Sequence, residues 1–266
     1  MKFKEKRQII NKDLQCLCVN IIKRDKIKVP LASKRVIRGI PSILKEIRKN
    51  GLPKHLCLKK LKGKLGYGIF LHPKANRILK GEPIAPYSGT VILCPQNTQN
   101  DSDYIFALIS DIRLTKEEQQ KWDPTRRYHP RRLYSVDLDA LKKGNFTRFI
   151  NHSSSKPNIE AQFVRIPPNS EGLPSAPFDL IYVATKTISP GEQLLVCYEG
   201  EDKSYWGALK IKPFPMSPKT FMLNDSCEIV TNTRKNKSEL AAERCKPLSF
   251  SARTVLNDDG RSEAHN

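Results

Sequence analysis

Residues 148–158 read RFINHSSSKPN, where Asn151, His152 and three serines crowd together directly after the apolar pair Phe149 and Ile150. Such a cluster can grip a polar ligand, and it can equally be a solvated turn. Upstream, Gly66-Tyr67-Gly68 spaces two glycines so that backbone can come close to a ligand. Tyr87-Ser88-Gly89 sets a tyrosine at the end of one short apolar run, and SPGEQLLVCY carries a Pro-Gly turn into another run that ends in Tyr198. Taken singly, these are turn glycines, a packed core tyrosine and an amphipathic tyrosine at a strand rim.

The elements that must position these residues are short. Between residues 65 and 198, runs such as GYGIFL, EPIAPYSGTVILC, DYIFALIS, LYSVDLDAL, IEAQFVRI, DLIYVAT and QLLVCY are separated by Gly, Pro, Asn and Ser clusters. That pattern predicts many short strands and few helices. Thr115-Lys116-Glu117-Glu118 reads as a capping box that opens a short helix. In the N-terminal region, Ile37, Ile40, Leu44 and Ile47 recur at helical spacing, with Pro41 near the start and Asn50-Gly51 as the stop. Strand signals fade after Tyr205-Trp206, and the three prolines of KPFPMSPK mark a domain edge near 206–215. SELAAERC reads as a marginal two-turn helix, and residues 251–266 read as a polar tail.

The 266 residues suit one main core with appendages. The net charge of +20 is uneven: residues 1–65 hold 20 Lys/Arg against 4 Asp/Glu, and residues 66–206 hold 17 against 16. A basic segment of this kind is drawn to nucleic acid, an acidic partner or an anionic surface, and a solvated face is the plain alternative. Seven cysteines, at 16, 18, 57, 94, 197, 227 and 245, form no metal-ligand ladder along the chain, so no metal is expected. Their odd number and scatter fit reduced thiols in a cytosolic or nuclear compartment. The first apolar run, residues 14–22, is too short and polar for a signal core or a membrane span.

In their order and spacing, LGYGIFL, PYSGTVI, GNFTRFINHS with Pro157-Asn158 beyond it, and ISPGEQLLVCY resemble the SET-domain family of S-adenosylmethionine-dependent protein-lysine methyltransferases. The resemblance covers residues 60–200. It implies a mostly β fold of small curved sheets with a C-terminal pseudoknot, to which this chain adds a basic N-terminal segment with a helix. The division that follows is a basic segment at 1–55, a SET catalytic domain at 56–206 and a partly disordered C-terminal extension at 207–266.

The same resemblance assigns roles. Gly66 and Gly68, with Tyr67 at the variable place between them, match the glycines against the methionine part of the cofactor. Asn151 and His152 match the pair that holds its amino-acid moiety and adenine. Tyr198 matches the catalytic tyrosine, Tyr87 a tyrosine of the lysine channel wall, and Trp206 an aromatic residue that covers the adenine in some members. The expected cofactor is S-adenosylmethionine and the expected substrates are histones or histone-like proteins, with nucleic acid a further partner through residues 1–65.

Three departures stand out. Three residues, Ser154-Ser155-Lys156, separate Asn-His-Ser from Pro-Asn where two are usual, which either bulges the loop or moves Pro157-Asn158 out of place. Pro86 stands where many members carry Glu, and the zinc-binding flanks of many eukaryotic members are missing, leaving residues 199–215 as the candidate lid. Small cores of this kind occur in viral and bacterial members, chlamydial ones among them, which implies a cytoplasmic protein or an effector secreted into a host cell and its nucleus. The alternatives are methylation of a non-histone protein and a pseudoenzyme that serves as a basic scaffold.

Overall fold

The computed structural model describes residues 12–26, 32–62, 65–96, 102, 104–164, 179–199 and 212–231, all of which fall within one compact unit, residues 1–232. In chain order the elements are α1 (Lys12–Arg24), α2 (Lys34–Asn50), β1 (Leu56–Lys60), β2 (Tyr67–Leu71), β3 (Pro83–Pro86), β4 (Thr90–Pro95), β5 (Ile105–Ile112), α3 (Lys116–Trp122), β6 (Tyr134–Asp139), β7 (Asn151–His152), β8 (Ile159–Val164), β9 (Asp179–Ala184), β10 (Leu195–Val196), β11 (Phe221–Leu223) and β12 (Ile229–Thr231). The mostly β reading holds, and the strands form small sheets. Five strands lie in the order β3-β9-β8-β10-β7, three in the order β4-β6-β5, and β1-β2 and β11-β12 are hairpin pairs. No described helix is long and apolar enough to cross a membrane.

The N-terminal region holds two helices where the spacing predicts one. In α1, Leu14, Leu17, Cys18 and Ile21 are buried, one turn apart, and join the same apolar cluster as Ile69, Tyr87, Leu138 and Val196 from the strands. The run whose polar interruptions exclude a signal core is therefore an amphipathic stripe. Arg24 at its end reaches Glu118 at the start of α3 (2.9 Å) and the carbonyl of Arg113.

The α2 helix starts from Ser33, whose hydroxyl accepts from the Val36 amide, and stops at Gly51, whose amide donates to Ile47 O at 2.7 Å. Gly51 has φ +74, the left-handed region open to glycine. The inward stripe runs through buried Val36 and Ile47 and half-buried Ile40 and Ile43, whereas Ile37 faces solvent. Pro41 lies in the helix interior, on its exposed side, instead of near its start. The capping box of α3 forms as predicted: Thr115 Oγ1 accepts from the Glu118 amide and Glu118 Oε2 accepts from the Thr115 amide.

Past the Pro-rich stretch, Phe221–Leu223 and Ile229–Thr231 pair as a hairpin that sequence pattern does not reveal, because three residues are too few to show a period. Phe221, Leu223 and Met216 pack on Phe70 and Leu195 in a second apolar cluster.

Candidate active site

Gly191 to Val196 runs as an inner strand between separate parts of the chain. On one side it pairs with β2: Leu71 N donates to Glu192 O (2.9 Å) and Leu194 N to Ile69 O (2.8 Å). Beyond that, β10 inserts between β7 and β8, parallel to both, with Leu195 opposite Asn151 and Val196 opposite both His152 and Ile159. Neighbours on both sides that come earlier in the chain make this an inserted strand, the placement expected of the pseudoknot that the resemblance implies. Asn158 locks it: buried, it donates from Nδ2 to Gln193 O (2.8 Å) and accepts at Oδ1 from Leu195 N (2.8 Å), while its own amide donates to Leu195 O (3.0 Å).

The thread delivers Tyr198 onto the Asn-His turn. The Tyr198 amide donates to His152 Nδ1 (3.0 Å), its hydroxyl donates to Ile150 O (2.5 Å), and its ring centre lies 5.3 Å from that of His152. Because Nδ1 accepts, the proton of neutral His152 sits on Nε2, which donates to Ser154 Oγ at 2.6 Å. Burial pushes the His152 imidazole below the ordinary histidine value, against a weaker upward pull from Glu199, which keeps the ring neutral near pH 7.

Asn151 turns the other way. Its Nδ2 donates to the carbonyl of Tyr67 (2.8 Å), fastening the Gly66-Tyr67-Gly68 turn to the threaded region, and the Tyr67 ring packs at 5.6 Å from Phe149. Gly68 has no room for a side chain, since a Cβ there would lie 2.6 Å from Gln193 Nε2 and 3.4 Å from Asn151 Nδ2. Gly66, at φ +67, faces open space. Gln193 itself is fully buried, and neither polar atom of its amide has a hydrogen-bond partner. The exposed backbone at Gly66, the buried Gly68, a bonded Asn and an unpaired amide beneath them form a cradle suited to a ligand with donor and acceptor groups.

Tyr87 is buried and its hydroxyl donates to Tyr104 O at 2.8 Å. Sequence reasoning missed its neighbour Tyr182, which stands edge-on to Tyr87 with ring centres 6.0 Å apart. Tyr182 lies on β9 opposite Ala85 and Ala161, small residues that leave it space. Burial first, then the proximity of Tyr198 and Tyr87, raises its phenol well above the ordinary tyrosine value, so it remains protonated. The signal in the sequence is one bulky polar-tipped residue in an otherwise aliphatic run, hidden because β9 is buried on both faces.

The serine run is divided in use. Ser153 is buried, with its amide on Val196 O, its hydroxyl donating to Met216 O (2.6 Å) and accepting from the Lys156 amide. Ser154 meets His152, and Ser155 is exposed. The extra residue leaves Asn158 on the thread.

Of the residues singled out in sequence, Gly66, Tyr67, Gly68, Asn151, His152 and Tyr198 come together here, with Tyr87 joined to Tyr198 through Tyr182; Trp206 and Tyr205 lie outside the described residues. A separate open cleft of about 840 Å³ lies between α2 and the start of β3, lined by Arg35, Lys54, His55, His72, Lys74 and Arg77 among others.

A threaded strand that brings a tyrosine onto an Asn-His turn, beside a glycine cradle, defines a class of β proteins. The profile of the SET domain matches residues 66–199 of this chain. The chain belongs to the SET-domain family. Among solved structures it is similar to ATXR5 in complex with histone H3.1, at 17% identity over 65% of this chain and 69% of that one, with a TM-score of 0.43. It is also similar to the methyltransferase domain of human histone-lysine N-methyltransferase SETMAR, at 25% identity over 59% and 48% with a TM-score of 0.37. KRYPTONITE, in complex with DNA, an H3 peptide and SAH, matches at 24% identity over 60% and 26%, with a TM-score of 0.37. No curated protein matches the sequence.

Proposed function

We propose that this chain is an S-adenosylmethionine-dependent protein-lysine N-methyltransferase acting on histones or histone-like proteins. The observation that carries the reading is the double hold on Tyr198, amide to His152 and hydroxyl to Ile150, at the end of the threaded strand. Family membership supports it. S-adenosylmethionine, when bound, supplies a methyl group on positively charged sulfur for attack by a neutral amine.

The cradle fits that group. Backbone at Gly66 and Gly68, with Asn151, His152 and the unpaired Gln193 amide beneath, offers donors and acceptors to an amino-acid moiety and an adenine. Trp206 as a cover over the adenine, and the division at residues 55 and 206, belong to the same reading. With its proton committed to Ile150 O, the Tyr198 oxygen presents lone pairs, so it orients an amine by accepting from it and is not the base. Tyr87 and Tyr182 form the aromatic wall along which the lysine chain approaches.

Alignment of two reactants contributes about 7–11 kcal/mol. A lysine of pKa about 10.4 is neutral at pH 7 at a cost of about 4.6 kcal/mol. Alignment outweighs deprotonation, and desolvation among tyrosines makes the amine easier still to deprotonate.

The basic N-terminal region shapes substrate choice. Arg35, Arg38, Lys45, Arg48 and Lys49 are exposed on α2, beside the basic cleft. Such a face repels a free basic peptide and attracts one carried on nucleic acid. The test is methyl transfer to nucleosomes, free histone peptide and a cell lysate, with the modified residues mapped by mass spectrometry. Label on lysine, higher on the nucleic-acid-bound substrate, is expected. Label on other residue types, or none in any of the three, would overturn the reading.

A further inference from the structure

Three residues far apart in sequence converge at the edge of the second apolar cluster. Cys57 is the second residue of β1, His72 follows β2, and Cys227 lies in the turn between β11 and β12. Cys57 Sγ and Cys227 Sγ are 4.0 Å apart, Cys227 Sγ is 3.4 Å from His72 Nε2, and all three atoms lie within 4.8 Å of one another. A tetrahedral zinc ion with Zn–S of about 2.3 Å and Zn–N of about 2.0–2.1 Å holds two sulfurs about 3.8 Å apart and sulfur from nitrogen about 3.6 Å. The Cys57–Cys227 and Cys227–His72 spacings each lie within about 0.2 Å of those values.

We propose that Cys57, His72 and Cys227 bind one zinc ion, with solvent at the fourth position, and that the ion clips the β11–β12 hairpin to the β1–β2 pair. Two sulfurs and an imidazole select a soft or borderline cation over magnesium or calcium, and no carboxylate joins the cluster among the described residues. All three side chains are half-buried, and Cys57 and Cys227 pack against the apolar cluster of Phe70, Leu195 and Leu223. Cys227 is held at φ +59, a conformation uncommon outside glycine, with its amide on Asn224 O.

Binding releases the two thiol protons, and the imidazole proton passes from Nε2 to Nδ1. Nδ1 then gives up the bond it accepts from the Lys74 amide, which is exposed and turns to water. The hairpin so clipped already bonds to the thread through Leu223 N to Gly191 O (3.0 Å), and the residues leading into it do so through Pro218 O, which accepts from Gln193 N (3.1 Å). The ion therefore steadies the segment that leads to Tyr198. The three ligands come from three elements, which is why spacing along the chain predicts no metal.

The test uses the full chain, reduced, stripped with a chelator and titrated with Co²⁺ as a spectroscopic substitute for zinc. One Co²⁺ per chain is expected, with tetrahedral d–d bands and a thiolate-to-cobalt band, displaced by Zn²⁺, and zinc raises the melting temperature. Cys57→Ser and Cys227→Ser each lose about 100-fold or more in affinity, while Cys94→Ser, outside the cluster, binds like the wild type. Circular dichroism of each metal-free variant separates lost binding from lost folding. A reduced wild-type protein without a tetrahedral cobalt spectrum, or unchanged binding in the Cys57→Ser/Cys227→Ser double variant, overturns the proposal. So does a Cys57–Cys227 disulfide that forms on oxidation in a protein that binds no metal when reduced. None of these readouts depends on methyl transfer.

Discussion

Tyr198 and Ile150 are 48 residues apart, and the phenol of one donates to the carbonyl of the other across 2.5 Å. The bond joins the segment just past β10 to the residue just before Asn151. A residue proposed as catalytic also braces the Asn-His turn, through its amide on His152 Nδ1. Its hydroxyl and its amide have separable duties, which substitution can divide.

The glycine cradle makes a graded prediction. Gly68→Ala drives a Cβ to 2.6 Å from the side chain of fully buried Gln193, which has nowhere to go. A destabilisation of about 1–3 kcal/mol is expected, with loss of S-adenosylmethionine binding. Gly66→Ala meets no atom within 4 Å and bears only the strain of positive φ, about 1 kcal/mol. Denaturant midpoints and calorimetric titration of cofactor distinguish the two; equal effects would contradict the packing described.

Asn158 tests the thread. Asn158→Ala leaves the carbonyl of Gln193 and the amide of Leu195 without partners in the core. A loss of about 2–5 kcal/mol is expected, and Asn158→Asp, which sets a buried carboxylate oxygen against the Gln193 carbonyl, loses at least as much near pH 7. Hydrogen exchange at Leu195 reports the same bond locally: its amide loses protection in the alanine variant and keeps it in the aspartate variant.

His152 sets a pH dependence. Its folded-state value lies below that of an unfolded histidine, so the unfolded chain takes up the proton first as pH falls. The stabilisation is complete above about pH 6.5 and declines as pH drops through the unfolded and then the folded value. Protonation at Nδ1 also removes the acceptor for the Tyr198 amide. The melting temperature of the wild type therefore falls more steeply between pH 7 and 5 than that of His152→Gln. Parallel curves would contradict the neutral, Nδ1-accepting histidine.

Much of the fold and site is legible in the sequence because it is local. The Asn-His turn, the paired glycines, the Thr115–Glu118 cap and the Gly51 stop each follow from a few adjacent residues whose types admit few alternatives. What is not legible depends on distant pairing. Tyr182 looks like one more apolar position in a doubly buried strand, and Gln193 carries its importance through Gly68, 125 residues earlier in the chain. The stripe of α2 differs at two positions from the spacing in the sequence, Val36 for Ile37 and Ile43 for Leu44, because both members of each pair are apolar and only packing selects between them. The Cys57–His72–Cys227 group is legible only once three elements have docked.

The basic face of α2 predicts a substrate effect distinct from catalysis. Reversing the charge at Arg35, Arg38 and Lys45, all exposed, should weaken binding to duplex DNA and flatten its salt dependence by about one unit of log–log slope for each phosphate no longer neutralised. Methylation of nucleosomes falls with it, and methylation of free peptide is unchanged or rises. A fall of equal size on both substrates would assign these residues to folding instead.

The site is held to transfer a methyl group under the direction of the Tyr198 hydroxyl. The direct measurement is labelled methyl transfer by the wild type and by Tyr198→Phe, with S-adenosylmethionine binding measured on the same preparations. The expected result is cofactor affinity within a few-fold of wild type, since the ring and the amide bond to His152 remain, and transfer reduced by about 100-fold or more. A Tyr198→Phe protein that binds cofactor normally and transfers methyl at the wild-type rate would contradict it.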